Sequence, residues 1–133
     1  MLRAIADTHA VIWYIFNDKR LSNNARSAIE MAAANGDEIG FSSMTLAEII
    51  YLSERGRIHP DTLGRLLRAT GQATSVLADV AFDRSVAMAM QQIDPVVVPE
   101  LPDRIIVATA TFYQVPIISK DHRITASGVA VIW

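Results

Sequence analysis

The sequence predicts an α/β protein, a three-layer α/β/α sandwich built on a central, mainly parallel sheet. Short apolar runs of the kind that form strands buried on both faces alternate with longer stretches of helical periodicity. Parallel strands require crossover connections, these are right-handed, and the alternation supplies a helix for each. The size agrees: 133 residues, 51% hydrophobic and 20% charged, can bury one genuine core. No repeat and no linker divides the chain, so residues 1–133 are expected to form a single domain.

The elements follow in order. Leu2–Ala6 is an apolar run stopped by Asp7, and Val11, Ile12, Tyr14, Ile15 and Phe16 then fall at helical spacing, which reads as a buried strand entering a helix. Ser22 caps a second helix that runs to Ala34, before Asn35-Gly36. Ile39-Gly40-Phe41 is a brief strand, and Ser42-Ser43 caps a helix carrying Leu46, Ile49 and Leu52 to near Gly56. Pro60 opens another, with a Leu63, Leu66, Leu67 stripe ending at Gly71. Ser75–Leu77 is expected as a strand, 79–92 as a helix, Asp103 to about Tyr113 as a helix, and Pro116–Ile118 and Val129–Ile132 as the last strands.

Composition excludes several chemistries. With no cysteine there is no disulfide scaffold, thiolate zinc site, iron–sulfur cluster or cysteine nucleophile, so any metal must sit on oxygen or imidazole. A net charge of −2 gives no overall field for nucleic acid, which would need a local patch or a metal. The longest uncharged run, Ile105 to Ser119, contains Gln114 and Pro116 and is shorter than the roughly 20 apolar residues of a membrane span. The N-terminal stretch carries Asp7 and His9 and lacks a secretory pattern, so the expected compartment is the cytoplasm.

The acids carry the chemistry. In open parallel sheets ligands bind beyond the carboxyl ends of the strands, where the following helices begin. Asp7 and Asp121 end strands, Glu48 lies in the first turns of a helix, and Asp103 opens another, so topology alone places four carboxylates on one edge. Each has a plain reading as a helix cap, a partner for a helix dipole, or a turn residue. That reading does not explain Glu48 between Ala47 and Ile49 in an apolar helix, nor Asp103 ahead of Ile105–Ala108. Carboxylates crowded together repel and protonate unless a cation neutralises them. Oxygen-only ligation points to Mg²⁺ or Mn²⁺, and such ions suit phosphodiester hydrolysis by an activated water.

At these residues the chain resembles a PIN domain, specifically the toxin nuclease of VapC-type toxin–antitoxin pairs. The likeness rests on Ala6-Asp7-Thr8-His9-Ala10 with Trp13, on Ser43 with Ala47-Glu48-Ile49, on Pro102-Asp103-Arg104 running into Ile105–Ala110, and on Ile118-Ser119-Lys120-Asp121. The resemblance implies Mg²⁺- or Mn²⁺-dependent endoribonuclease activity, inhibition by a cognate antitoxin, and homodimerisation. It implies Asp7, Glu48, Asp103 and Asp121 as the acidic quartet, with Ser119 as the small hydroxyl residue before the last acid. The segment Val96–Pro102 departs from the His-x-Asp-Pro-Phe lead-in of many such proteins.

Other residues stand beside these. Arg104, Lys120 and Arg123 adjoin the acids and either contact substrate phosphates or offset carboxylate repulsion. His9 and His122 neighbour Asp7 and Asp121, and a hydrogen-bonding or RNA-contact role suits them better than zinc. Arg55, Arg57, Arg65 and Arg68 form either a basic rim for RNA or an ordinary solvated face, the face being the default. Trp13, Tyr14, Phe16 and Tyr51 exceed what one helix face buries, and part of this set is expected to form an apolar groove for a protein partner. The competing readings are a catalytically silent PIN-like scaffold that binds RNA or protein, and a haloacid-dehalogenase-like phosphohydrolase. The latter requires an Asp where His9 stands.

Overall fold

The computed structural model describes residues 1–133. Five parallel strands form one sheet in the order β3-β2-β1-β4-β5: β1 Leu2–Ala6, β2 Glu38–Ser42, β3 Leu77–Val80, β4 Ile117–Ile118 and β5 Val131–Ile132. Seven helices connect them: α1 Thr8–Ile15, α2 Asn23–Ala34, α3 Ser43–Glu54, α4 Thr62–Thr70, α5 Arg84–Ala89, α6 Leu101–Tyr113 and α7 His122–Ala126. This is the three-layer α/β/α architecture. No helix is long and apolar enough to cross a membrane.

The two-residue period of a strand divides the interior. Ala4 and Ala6 of β1, with Ile118, join a core that includes Val11 and Trp13 of α1, Ile29 of α2, Ile49 of α3 and Leu66 of α4. Ile5 and Ile117 point the other way, into a core with Val86, Ile106, Val107, Ala110 and Ile124 from α5, α6 and α7. Gly40 in β2 is required by close approach, since a Cβ there would stand 2.7 Å from Val80 Cγ2 and 2.9 Å from Ile5 Cδ1.

Several boundaries differ from expectation. β3 begins at Leu77, because the Ser75 hydroxyl accepts from the Leu77 amide at 3.1 Å and donates to the Leu77 carbonyl at 2.9 Å, closing a turn. Asp79 pairs with Phe41 inside the sheet, so the helix expected over 79–92 shrinks to α5, capped by Asp83, followed by a 3₁₀ turn at Met90–Gln92. α4 starts at Thr62, where the Thr62 hydroxyl holds the His59 carbonyl at 2.6 Å. β5 is limited to Val131–Ile132. α6 starts at Leu101 with Pro102 in its first turn, two residues ahead of Asp103, and five-residue α7 was too short to show periodicity.

The strand order fixes where a ligand belongs. From β1 the chain moves outward to β2 and β3, then returns to β4 on the other side of β1 and continues to β5. The connections therefore leave β1 and β4 toward different layers, which opens a crevice at their carboxyl ends.

Candidate active site

Asp7 follows β1 and Asp121 follows β4, at the two sides of that crevice. Asp7 uses both oxygens: Oδ1 accepts from the Ala10 amide at 2.8 Å, starting α1, and Oδ2 accepts from the Ser119 hydroxyl at 2.5 Å. Ser119 Oγ in turn accepts from the Asp121 amide at 3.0 Å, so one buried hydroxyl fixes Asp7 relative to the backbone of Asp121. Asp121 caps α7 through the Arg123 amide at 2.8 Å.

Glu48, one and a half turns into α3, is oriented from below. The Thr8 hydroxyl donates to Glu48 Oε1 at 2.7 Å and lies 3.1 Å from the Thr45 hydroxyl. A threonine has a single hydroxyl proton, so Thr45 must be the donor to Thr8, giving a directed chain from Thr45 through Thr8 to Glu48. Both threonines are buried. Neither was singled out from the sequence, although Thr8 follows Asp7 directly and Thr45 precedes Glu48 by three residues, one helical turn.

These acids, with Asp103 at the start of α6, line one cleft of about 540 Å³. A fifth, Glu100, joins them; it stands one turn before Asp103, a spacing that places both on the same side of the helix start. Thr8, His9, Lys120 and His122 complete the polar lining, and Trp13 and Ile106 are its apolar members. Glu100 also accepts from Arg123 at 2.6 Å, a pair more than half exposed on both sides and of small energetic weight. Arg104 is not brought into the cleft: its guanidinium donates to the carbonyls of Met90, Ile93 and Val98 and ties down the chain between α5 and α6.

Electrostatics record the crowding. Asp103 is pushed up to about 6, first by burial and then by the charges of Asp121, Glu100, Glu48 and Asp7. Burial raises Asp7 as well, against the lowering pull of the Ser119 and Ala10 hydrogen bonds. As the side chains lie, no three His, Asp or Glu stand close enough to form a ready-made chelate. The donor set nonetheless fits a hard divalent cation, because five carboxylates share one cleft with a single lysine. A cation there would relieve the repulsion that raises Asp103.

The groove expected from Trp13, Tyr14, Phe16 and Tyr51 is divided. Trp13 is only 9% exposed, and Tyr14 and Phe16 pack half-buried against the α1–α4 core. Tyr51 is exposed and stacks under the Arg55 guanidinium, 3.5 Å from its ring centre.

The model of the PIN domain family matches residues 4–128. The chain belongs to that family. PIN domains are in general nucleases. Solved structures agree on the fold. VapBC2 of Rickettsia felis bound to a DNA fragment from its promoter superimposes with a TM-score of 0.70 at 14% identity, covering 98% of this chain and 97% of that one. A DNA-bound VapBC of Salmonella typhimurium gives 0.67 at 21% identity, covering 98% and 97%. A toxin–antitoxin complex of Klebsiella pneumoniae gives 0.65 at 22% identity, covering 98% and 96%. No curated protein matches the chain.

Within this PIN domain the threonine chain makes a specific expectation. Thr8→Val keeps the side-chain shape but leaves Glu48 and Thr45 without their shared partner, so affinity for Mn²⁺ should fall about tenfold by calorimetric titration. Thr8→Ser should retain it. Equal Mn²⁺ binding by Thr8→Val would show that Glu48 needs no support.

Proposed function

We propose that this chain is a divalent-cation-dependent endoribonuclease and the toxin of a toxin–antitoxin pair, acting in the cytoplasm as a homodimer with residues 1–133 as one catalytic domain. The observation that carries the reading is the gathering of Asp7, Glu48, Asp103 and Asp121, with Glu100, in a single cleft at the switch point of the sheet.

Asp7, Glu48, Asp103 and Asp121 would hold Mg²⁺ or Mn²⁺, directly or through water. Such an ion supplies Lewis-acid polarisation of a phosphoryl oxygen and lowers the pKa of an attacking water. The chain's own residues do the rest. Ser119 and the Ala10 amide hold Asp7 in one rotamer, and Thr8 does so for Glu48, which keeps the carboxylates oriented before substrate arrives. Lys120, on the cleft wall, offers a positive charge to a non-bridging phosphate oxygen. The antitoxin would act on the same cleft, a cationic side chain of the partner replacing the divalent ion as counter-charge to the carboxylates. The toxin–antitoxin complexes with which the fold superimposes support that part of the reading.

The test is cleavage of a mixed-sequence RNA by the purified chain with Mg²⁺ or Mn²⁺, repeated in excess chelator. Cleavage that requires the ion supports the reading. Cleavage undiminished in chelator refutes the metal, and no cleavage under either condition refutes the nuclease. Sedimentation, and pull-down by the product of the adjacent gene, check the dimer and the partner.

A further inference from the structure

A second concavity adjoins the acidic cleft. It measures about 490 Å³ and lies between α1 and the turn that joins α3 to α4. His9 and Trp13 line both spaces, so the two adjoin. Their charges are opposite. The cleft presents carboxylates, whereas the groove presents Arg20, Arg57, His9 and His59 against Asp18 alone. Asp18 is already held by Arg20 at 2.6 Å and lies low, at about 2, chiefly through its hydrogen bonds from Arg20. The exposed Arg57 guanidinium takes no part in the ion pairs of the molecule, so its charge stands uncompensated at the groove.

The groove is also aromatic in a particular manner. The Arg65 guanidinium lies 4.4 Å over the Phe16 ring at its border, and that of Arg20 lies 5.2 Å over Trp13. The His59 ring leans on Phe16 with centroids 5.8 Å apart. His59 Nδ1 accepts from the Asp61 amide at 3.0 Å, which in the neutral ring leaves the proton on Nε2 as a free donor. Cationic planes and rings interleaved along a groove are what single-stranded nucleic acid binds, through phosphate contacts and sequence-tolerant stacking.

We propose that this groove holds the single-stranded RNA flanking the scissile phosphate, with Arg57 on a backbone phosphate and His59 and Phe16 against the adjoining nucleotide. The inference rests on the ribonuclease reading and adds the path of the substrate. A polymer with one negative charge per unit suits the whole surface: one phosphate enters the carboxylate cleft with a divalent ion, and its neighbours meet arginine. An acidic peptide suits the groove but is repelled by the cleft, so RNA is the occupant the charge pattern favours.

The experiment measures binding of a fluorescent single-stranded oligoribonucleotide to the full chain in Mn²⁺, on an Asp103→Asn background so that the probe survives, across a range of KCl. Arg57→Gln should weaken binding about tenfold and flatten the slope of log affinity on log salt by about 0.7, the loss of one phosphate contact. Arg57→Lys should recover most of the slope. Arg84→Gln, at the start of α5, should change neither. With Asp103 restored, Arg57→Gln should raise KM rather than lower kcat. If Arg57→Gln binds the probe like its parent while the unsubstituted chain cleaves RNA, the groove assignment falls and the nuclease stands. If Arg57→Gln loses a protein partner but not RNA, the groove belongs to that partner and the assignment falls. If the unsubstituted chain neither binds nor cleaves single-stranded RNA in Mn²⁺, both readings fall together.

Discussion

Asp103→Asn should lower RNA cleavage by at least about a hundredfold and, in the same protein, raise the melting temperature of the cation-free chain at pH 7.5 by about 2 to 5 °C. The two effects share one cause. Asp103 titrates at about 6 against 3.8 for an ordinary aspartate, so between about pH 4 and 6 the folded chain holds a proton that the unfolded chain has released. Stability of the cation-free protein therefore falls as pH rises through that window and stays lower above it. Asp7, raised by burial, acts in the same direction. Asparagine carries no charge and removes the Asp103 contribution. The ion reverses the balance: Mg²⁺ or Mn²⁺ should raise the melting temperature of the parent and leave Asp103→Asn much less affected. Cleavage by the parent at limiting Mn²⁺ should decline on acidification and recover as Mn²⁺ is raised, because protonation of the carboxylates competes with the ion. Melting curves at several pH values with and without Mn²⁺, beside a cleavage assay over the same pH range, check these statements. Undiminished cleavage by Asp103→Asn would remove Asp103 from the mechanism.

Trp13→Ala should cost about 3 to 5 kcal/mol of folding free energy and lower the melting temperature by about 10 to 20 °C. The indole belongs to the α1–α4 core, with the ring of Trp133 at 5.8 Å and that of His9 at 5.7 Å. Its removal empties a space between the sheet and the two concavities, and both should lose their shared wall. Weakened partner binding by this variant would then report a loosened fold as much as a lost contact. Tyr51→Ala, at a half-exposed position, tests the partner contact without that confusion. Urea unfolding of Trp13→Ala checks the prediction, and a loss under about 1 kcal/mol would show that the side chain is not a working member of the core.

The alternation of strands and helices, the places of Asp7, Glu48, Asp103 and Asp121 at strand ends and helix starts, and the absence of any thiolate chemistry can be read from the amino-acid order alone. These are legible because strand and helix periodicity, caps and composition are local properties, and because a parallel sheet carries every strand's carboxyl end to one edge. Glu100 was missed because it sits in a proline-punctuated stretch with no period, and only the start of α6 at Leu101 turns it toward Asp103. Arg104 adjoins Asp103 in sequence, yet the next position on a helix points about 100° away, and its guanidinium meets three carbonyls instead of the cleft. Trp13, Tyr14 and Phe16 are indistinguishable in hydropathy from a partner surface until α4 and β5 fold over them. Contacts such as Ser119 on Asp7, 112 residues apart, and Thr8 on Glu48, 40 apart, have no counterpart in local pattern. They exist only once β1, β2 and β4 lie side by side, and they orient the carboxylates by engaging Oδ2 of Asp7 and Oε1 of Glu48.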